Sequence, residues 1–206
     1  MFYSQAGQDE WVIKLLKNKR NGYFVDIGAY DGIIGSNTYY LEKELGWKGL
    51  CVEANTDLYF NLTCCRHSTN INVAVSDYNG NIMFGHDSVS DRGRLITCKT
   101  LSTILKLVRA PREIDYLSID VEGHEYTVFK DFDFENWDIS LMTVEHNLYC
   151  WGPKNKERNY ELLSSKGFVR VVEDAPCLDP NPSLFNQPLE DWYASKKFLE
   201  ENELSV

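Results

Sequence analysis

Four short apolar runs in this chain carry an acid at or next to their last position: Tyr23-Phe24-Val25-Asp26-Ile27, Gly49-Leu50-Cys51-Val52-Glu53, Tyr116-Leu117-Ser118-Ile119-Asp120 and Ile139 to Glu145. Each has the length and residue types of a buried strand rather than of a helix. Between them the spacing of apolar residues predicts helices over 6–18, 36–46, 56–66, 100–108, 124–131 and 155–166. Alternating strands and helices imply one mostly parallel sheet with helices on both faces. A third strand is expected at Ile71-Asn72-Val73-Ala74-Val75 and a sixth at Phe168 to Val172. Two short strands near Ile82–Phe84 and Leu95–Cys98 read as an insertion beside the sheet. Residues 174–188 hold four of the six prolines and read as an acceptor-side loop. Trp192-Tyr193-Ala194 reads as a final edge strand. All 206 residues fit one domain, 1–206, whose first 20 residues form a helical cover.

Charge narrows the partner. With 31 acidic against 21 basic residues the net charge is -10, a poor match to a phosphate backbone, so no nucleic acid is expected. The six cysteines form no C-x-x-C pair and read as reduced thiols of a cytoplasmic protein. Met1-Phe2-Tyr3-Ser4-Gln5 does not open as a signal peptide. No apolar run reaches the length needed for membrane insertion. The oligomeric state is left open.

In open α/β sheets, ligands bind beyond the C-terminal ends of the strands. Here the first turn reads Asp26-Ile27-Gly28-Ala29-Tyr30-Asp31-Gly32. It is not G-x-G-x-x-G, and carboxylates at Asp26 and Asp31 would repel a pyrophosphate, which argues against a nicotinamide dinucleotide. A cofactor with a cationic amino-acid end suits it better. Glu53, 21 residues past Gly32, stands where an acid can accept both ribose hydroxyls.

The segments Ser4-Gln5-Ala6-Gly7-Gln8-Asp9, Gly22 to Gly32, Ser36-Asn37-Thr38, Gly46-Trp47-Lys48-Gly49, Val52-Glu53 with Asn55, and Asp120-Val121-Glu122-Gly123 with Glu125 follow one another in order. Together they resemble the FkbM-type methyltransferases, which depend on S-adenosylmethionine (SAM). That resemblance implies a Rossmann-like class I SAM-methyltransferase fold and O-methylation of a hydroxyl on a sugar, lipid or natural product. It places Asp26, Gly28, Ala29, Tyr30, Asp31 and Gly32 with Asn37 and Thr38 around the methionine end of SAM. Glu53, Ala54 and Asn55 fall at the ribose, Val75 and Ser76 near the adenine, and Gln5 and Gln8 on a covering helix. Ala54 stands where the family often has proline.

A hydroxyl is a weak nucleophile, so a base beside it is expected. Asp120, Glu122, His124 and His146 are the candidates, with Asp120 also near the cofactor and Glu145 beside them. Glu122 and Glu125 equally suit the positive end of a helix, and either histidine equally suits a structural role. Asp120, Glu122, Glu145 and His146 could hold a divalent ion through oxygen ligands, but no metal is predicted. Trp151, Trp192 and Tyr193 could stack on a sugar face or pack in the core. The leading expectation is a SAM-dependent O-methyltransferase of a sugar or glycan. Lipid or polyketide methylation and a non-catalytic SAM-binding module of a larger glycan-processing protein are the alternatives.

Overall fold

The structure, a computed structural model, describes residues 3–86 and 88–204. Met1 and Phe2 of the opening segment thus lie outside the described residues. Seven strands form the main sheet: β1 (Tyr23–Ile27), β2 (Lys48–Val52), β3 (Thr69–Ile71), β7 (Glu113–Ile119), β8 (Asp138–Glu145), β9 (Phe168–Pro176) and β10 (Pro188–Ser195). Their spatial order is β3-β2-β1-β7-β8-β10-β9. The first five are parallel, and β10 runs antiparallel to both its neighbours. Helices α1 (Gln8–Leu15), α2 (Tyr39–Leu45), α3 (Thr56–Cys65), α4 (Leu101–Leu107), α5 (Glu125–Lys130), α6 (Leu148–Trp151), α7 (Pro153–Ser165) and α8 (Lys196–Glu201) connect and flank them.

The central parallel strands β1, β2, β7 and β8 build this architecture because both their faces are largely apolar and buried, as parallel strands covered on both sides require. Val25, Ile27, Leu50, Val52, Leu117 and Ile119 pack with Ile104, Leu105 and Phe129 on one face. Phe24, Cys51, Tyr116 and Leu141 pack with Val12, Leu41, Leu62 and Phe198 on the other. Asp26 has the parity of Phe24, so its carboxylate falls on the α2–α3 side. Gly46, at φ 69°, ends α2 in the left-handed conformation that glycine adopts cheaply.

Three expectations are corrected. The strand expected at 71–75 is two strands. β3 joins the main sheet, while β4 (Ala74–Val75) pairs with β6 (Arg94–Lys99) in a three-stranded sheet completed by β5 (Gly80–Phe84). Asn72 makes the break: its Nδ2 donates to the carbonyls of Glu53 and Ala54 at 2.7 and 3.1 Å. Residues 192–194 are not an edge. β10 is interior and buried from Leu189 to Ala194, and β9 is the edge strand. The irregular stretch is therefore 177–187 rather than 174–188, and it is tied down. Cys177 and Asn186–Gln187 exchange backbone bonds at 2.9 Å, and Leu178 N donates to Gln5 O at 2.7 Å. Helices α6 and α8 were not anticipated. All six cysteines are free thiols, and no described helix is long and apolar enough to cross a membrane.

Candidate active site

The ladder continues one residue beyond the strands. Gly28 N donates to Val52 O at 2.9 Å, Asp120 N to Ile27 O at 2.9 Å, and Glu53 N to Ile71 O at 3.0 Å. These bonds bring Gly28, Glu53 and Asp120 to one edge. The chain steps from β1 outward to β2 and β3, then returns to β7 and β8 on β1's other side. The resulting crevice is where a doubly wound sheet takes its ligand. A cavity of about 460 Å³ opens there, within the usual range for a small-molecule site.

The turn after β1 is shaped by packing. Gly28 has φ 84°, and a Cβ there would stand 1.7 Å from the Asp120 carbonyl oxygen. Gly32, at φ 85°, would bring a Cβ to 2.8 Å from the Arg66 side chain. Glycine is thus needed at both positions by the protein itself. Asp31 Oδ1 accepts from Ile33 N and Ile34 N at 2.9 and 2.8 Å, a local turn bond. Glu53 is buried, and its two oxygens accept from Tyr30 N at 2.9 Å and Asn55 N at 2.6 Å. A carboxylate has about four lone-pair sites, and these two amides fix Glu53 in place at the cavity wall.

Beneath the turn lies a polar chain that sequence reasoning missed. Thr38 Oγ1 donates to Asp26 Oδ2 at 2.5 Å and accepts from Arg66 Nη2 at 2.9 Å. Arg66 Nε donates to Glu42 Oε2 at 2.8 Å, and its Nη1 reaches Gly32 O and Ser36 Oγ. Burial pushes the Asp26 carboxyl up, with Arg66 and Thr38 opposing. Arg66, at the end of an apolar helix, gave no signal of burial in the sequence.

Across the cavity, ligand atoms of Asp120, Glu122 and Glu145 lie within 4.8 Å of one another. Burial pushes the Asp120 carboxyl to about 7, and a hydrogen bond from Glu145 partly offsets this. Glu145 is raised well above the carboxylate range by burial and by Asp120. The pair therefore shares a proton, held mainly on Glu145. Glu122 has φ 54°, a strained backbone that the buried Glu125 carboxylate holds by accepting from Val121 N and Gly123 N at 3.1 and 3.0 Å. That bonding gives Glu125 a structural role.

Of the residues singled out from the sequence, Gln5, Asp26, Gly28, Ala29, Tyr30, Asn37, Glu53, Ala54, Val75, Asp120 and Glu122 line the cavity. Gln8, Asp31, Gly32, Thr38, Asn55, Ser76, His124 and His146 do not. Gln8 is buried, accepts from Ala6 N and bonds Glu190. Asn55 caps α3. His124 Nε2 meets Ser76 Oγ at 3.1 Å, and burial lowers its pKa. His146 is locked: Nδ1 accepts from Leu148 N at 3.2 Å, and Nε2 faces Asp191 and Asp174 at 3.3 and 3.4 Å. The structure thus separates His146 from the acid cluster. Trp192 and Tyr193 are core residues, whereas Trp151 is exposed above Gly123. Asn147 was missed; its left-handed φ of 43° directly after β8 is a conformation that asparagine favours.

The residues present fit SAM. Asn37 Oδ1 lines the cavity, is buried and has no partner among the described residues; its Nδ2 donates to Ser118 Oγ at 2.9 Å. A buried acceptor left open beside Asp26 suits an ammonium group.

The comparisons agree with this fold. The family model described as Methyltransferase FkbM domain matches residues 81–169. A protein named Methyltransferase 1 from Beauveria bassiana (strain ARSEF 2860) is 32% identical over 91 residues, 44% of this chain. The chain covers 35% of that relative's length. The METTL16 MTase domain superposes with a TM-score of 0.56 at 13% identity, over 90% of this chain and 64% of that one. A candidate O-methyltransferase from Klebsiella pneumoniae gives 0.56 at 9% identity, covering 92% and 80%. A candidate rRNA-methylase from Clostridium thermocellum gives 0.55 at 12%, covering 95% and 97%. The matched family model and the superposed structures are all described as methyltransferases. Residues 81–169 thus carry the FkbM methyltransferase domain match, set in a class I SAM-methyltransferase fold.

Proposed function

We propose that this chain is a SAM-dependent O-methyltransferase acting on a hydroxyl of a sugar or glycan. The observation that carries the reading is the meeting, in one cavity, of the Glu53-held turn and the proton-sharing carboxyls Asp120 and Glu145. When bound, SAM supplies a methyl group made electrophilic by its sulfonium. Asp26 and Asn37 would accept from the ammonium, Glu53 from the ribose hydroxyls, and Val75 would flank the adenine. Asp120, with its carboxyl near 7, has the basicity a general base needs at neutral pH. It would take the proton of the acceptor hydroxyl. Glu145 would set that basicity through the shared hydrogen bond. Asn147, Tyr149 and the exposed Trp151 beside the cavity offer amide and ring contacts of the kind a sugar uses. The net charge of -10 weighs against a nucleic-acid acceptor.

The test is calorimetric titration with SAM, followed by a methyl-transfer screen over deoxysugars and oligosaccharides. Binding with turnover on a sugar supports the reading. Binding with turnover only on lipid or polyketide hydroxyls moves the acceptor class. Absence of SAM binding overturns the assignment.

A further inference from the structure

We propose that Asp120, Glu122, Glu145 and Asn147 form a binding site for one divalent cation with oxygen ligands, of the Mg2+ or Mn2+ class. The inference is independent of the cofactor reading for binding and rests on it only for the ion's role.

Spacing is the first argument. One oxygen from each of the three carboxylates lies within 4.8 Å of the others. Oxygens about 2.1 Å from one ion stand roughly 3–4.2 Å apart, so carboxylates already gathered within 4.8 Å can close on a single ion by small side-chain rotations. The second argument is unmet bonding capacity. Glu145 Oε2 and Asn147 Oδ1 are buried with no partner among the described residues, in residues each 5% exposed, and both residues line this cavity. The Asn147 amide is held at the cluster, its Nδ2 standing 3.4 Å from Glu122 Oε2. Asn147 Oδ1 in particular is a buried acceptor with nothing among the described residues to accept from, and the carboxylates around it add only repulsion. The charges acting on Asp120 and Glu145 are led by other carboxylates.

A second acid cluster shows the contrast. His146, Asp174 and Asp191 also lie within 4.8 Å of one another. There Lys156 meets Asp174 at 2.7 Å and Arg170 meets Asp191 at 3.0 Å. Those cations already neutralise the acids, so that cluster needs no ion. The Asp120 cluster sits at the strand ends where an acceptor oxygen would be presented. An ion there would release the proton that Asp120 and Glu145 share, hold the acceptor hydroxyl oxygen and lower its pKa, so that a weaker base suffices to take its proton, and would select acceptors with a second oxygen next to the reacting one.

The experiment titrates MnCl2 alone into the purified full chain, in EDTA-washed buffer without SAM. Calorimetry is paired with loss of the free Mn2+ electron-spin-resonance signal. One site with a Kd of roughly 10–500 μM is expected, weakened tenfold or more in Glu145→Gln and in Asn147→Ala, and unchanged in Asp174→Asn. Circular dichroism melts establish that each variant is folded, and Glu122→Gln replaces any that is not. No binding at millimolar Mn2+, or binding unaffected by the cluster variants, overturns the site. A failure to bind SAM in a separate titration would sink the cofactor reading while leaving this result intact.

Discussion

A Cβ at position 28 would lie 1.7 Å from the carbonyl oxygen of Asp120. The turn after β1 and the acid after β7 therefore meet backbone against backbone, next to the bond from Asp120 N to Ile27 O. Gly28→Ala adds that clash to an unfavourable positive φ. It should cost more than about 2 kcal/mol of stability and displace Asp120. We expect a lowered Tm and at least tenfold weaker SAM binding in the fraction that folds. Wild-type affinity in a folded Gly28→Ala protein would show that the contact can relax without touching the site.

Glu53 holds two backbone amides and lines the cavity. Glu53→Ala should weaken SAM about tenfold or more, the loss of a charge-assisted pair of bonds. Glu53→Gln should lose less, because one acceptor oxygen remains. Calorimetry reads both, and unchanged affinity in the alanine variant would remove Glu53 from the site.

Asp120 and His146, both candidate bases by sequence, should separate cleanly. Asp120→Asn should lower kcat about 100-fold or more with SAM affinity within a few-fold. His146→Ala should lower stability by about 2–4 kcal/mol, because it empties a buried position beside Asp191. The kcat of its folded fraction should stay near wild type. A large kcat loss in a stable His146→Ala protein would contradict the placement of His146 away from the chemistry.

Glu190 offers a test of pH dependence. Burial pushes its carboxyl from 4.5 to about 8, with bonds from Trp192 and Gln8 opposing. The folded chain then keeps a proton that the unfolded chain releases above about 4.5. Its contribution to stability is complete below that pH and is lost as pH rises towards 8. Glu190→Gln removes this slope. The variant should lie close to wild type at pH 5 and melt roughly 10 °C higher at pH 8. Parallel melting curves across that window would mean that Glu190 does not change its protonation on folding.

The parallel half of the sheet was legible because its strands are continuous apolar runs with an acid at or next to their last position, and those acids do line one cavity. The antiparallel half was not. β10 carries Glu190 and Asp191 within its buried run, so it read as a short edge, although Arg170, His146 and the Trp192 indole satisfy those acids. Local hydrogen bonds at the site were not legible in the sequence. Asp31, Thr38 and Asn55 have the right residue types in the right places, yet their side chains are occupied by the turn, by Asp26 and Arg66, and by the α3 N-terminus. Arg66, Glu42 and Asn147 act through distances that no spacing in the sequence encodes.

The insertion of β10 between β8 and β9 has a consequence for how the protein is made. Glu145 ends β8, and its register partner Glu190 is on the strand that arrives last. Until residue 195 has left the ribosome, β8 presents an unpaired strand edge, the sort of surface that recruits other chains. The parallel half of the sheet, with the turn after β1 and the acids after β7 and β8, can pair before β10 exists, whereas the buried acids of β10 wait on a long-range pairing. A chain stalled before β10 would display the paired parallel half of the sheet beside an open edge, the most aggregation-prone stage of its synthesis.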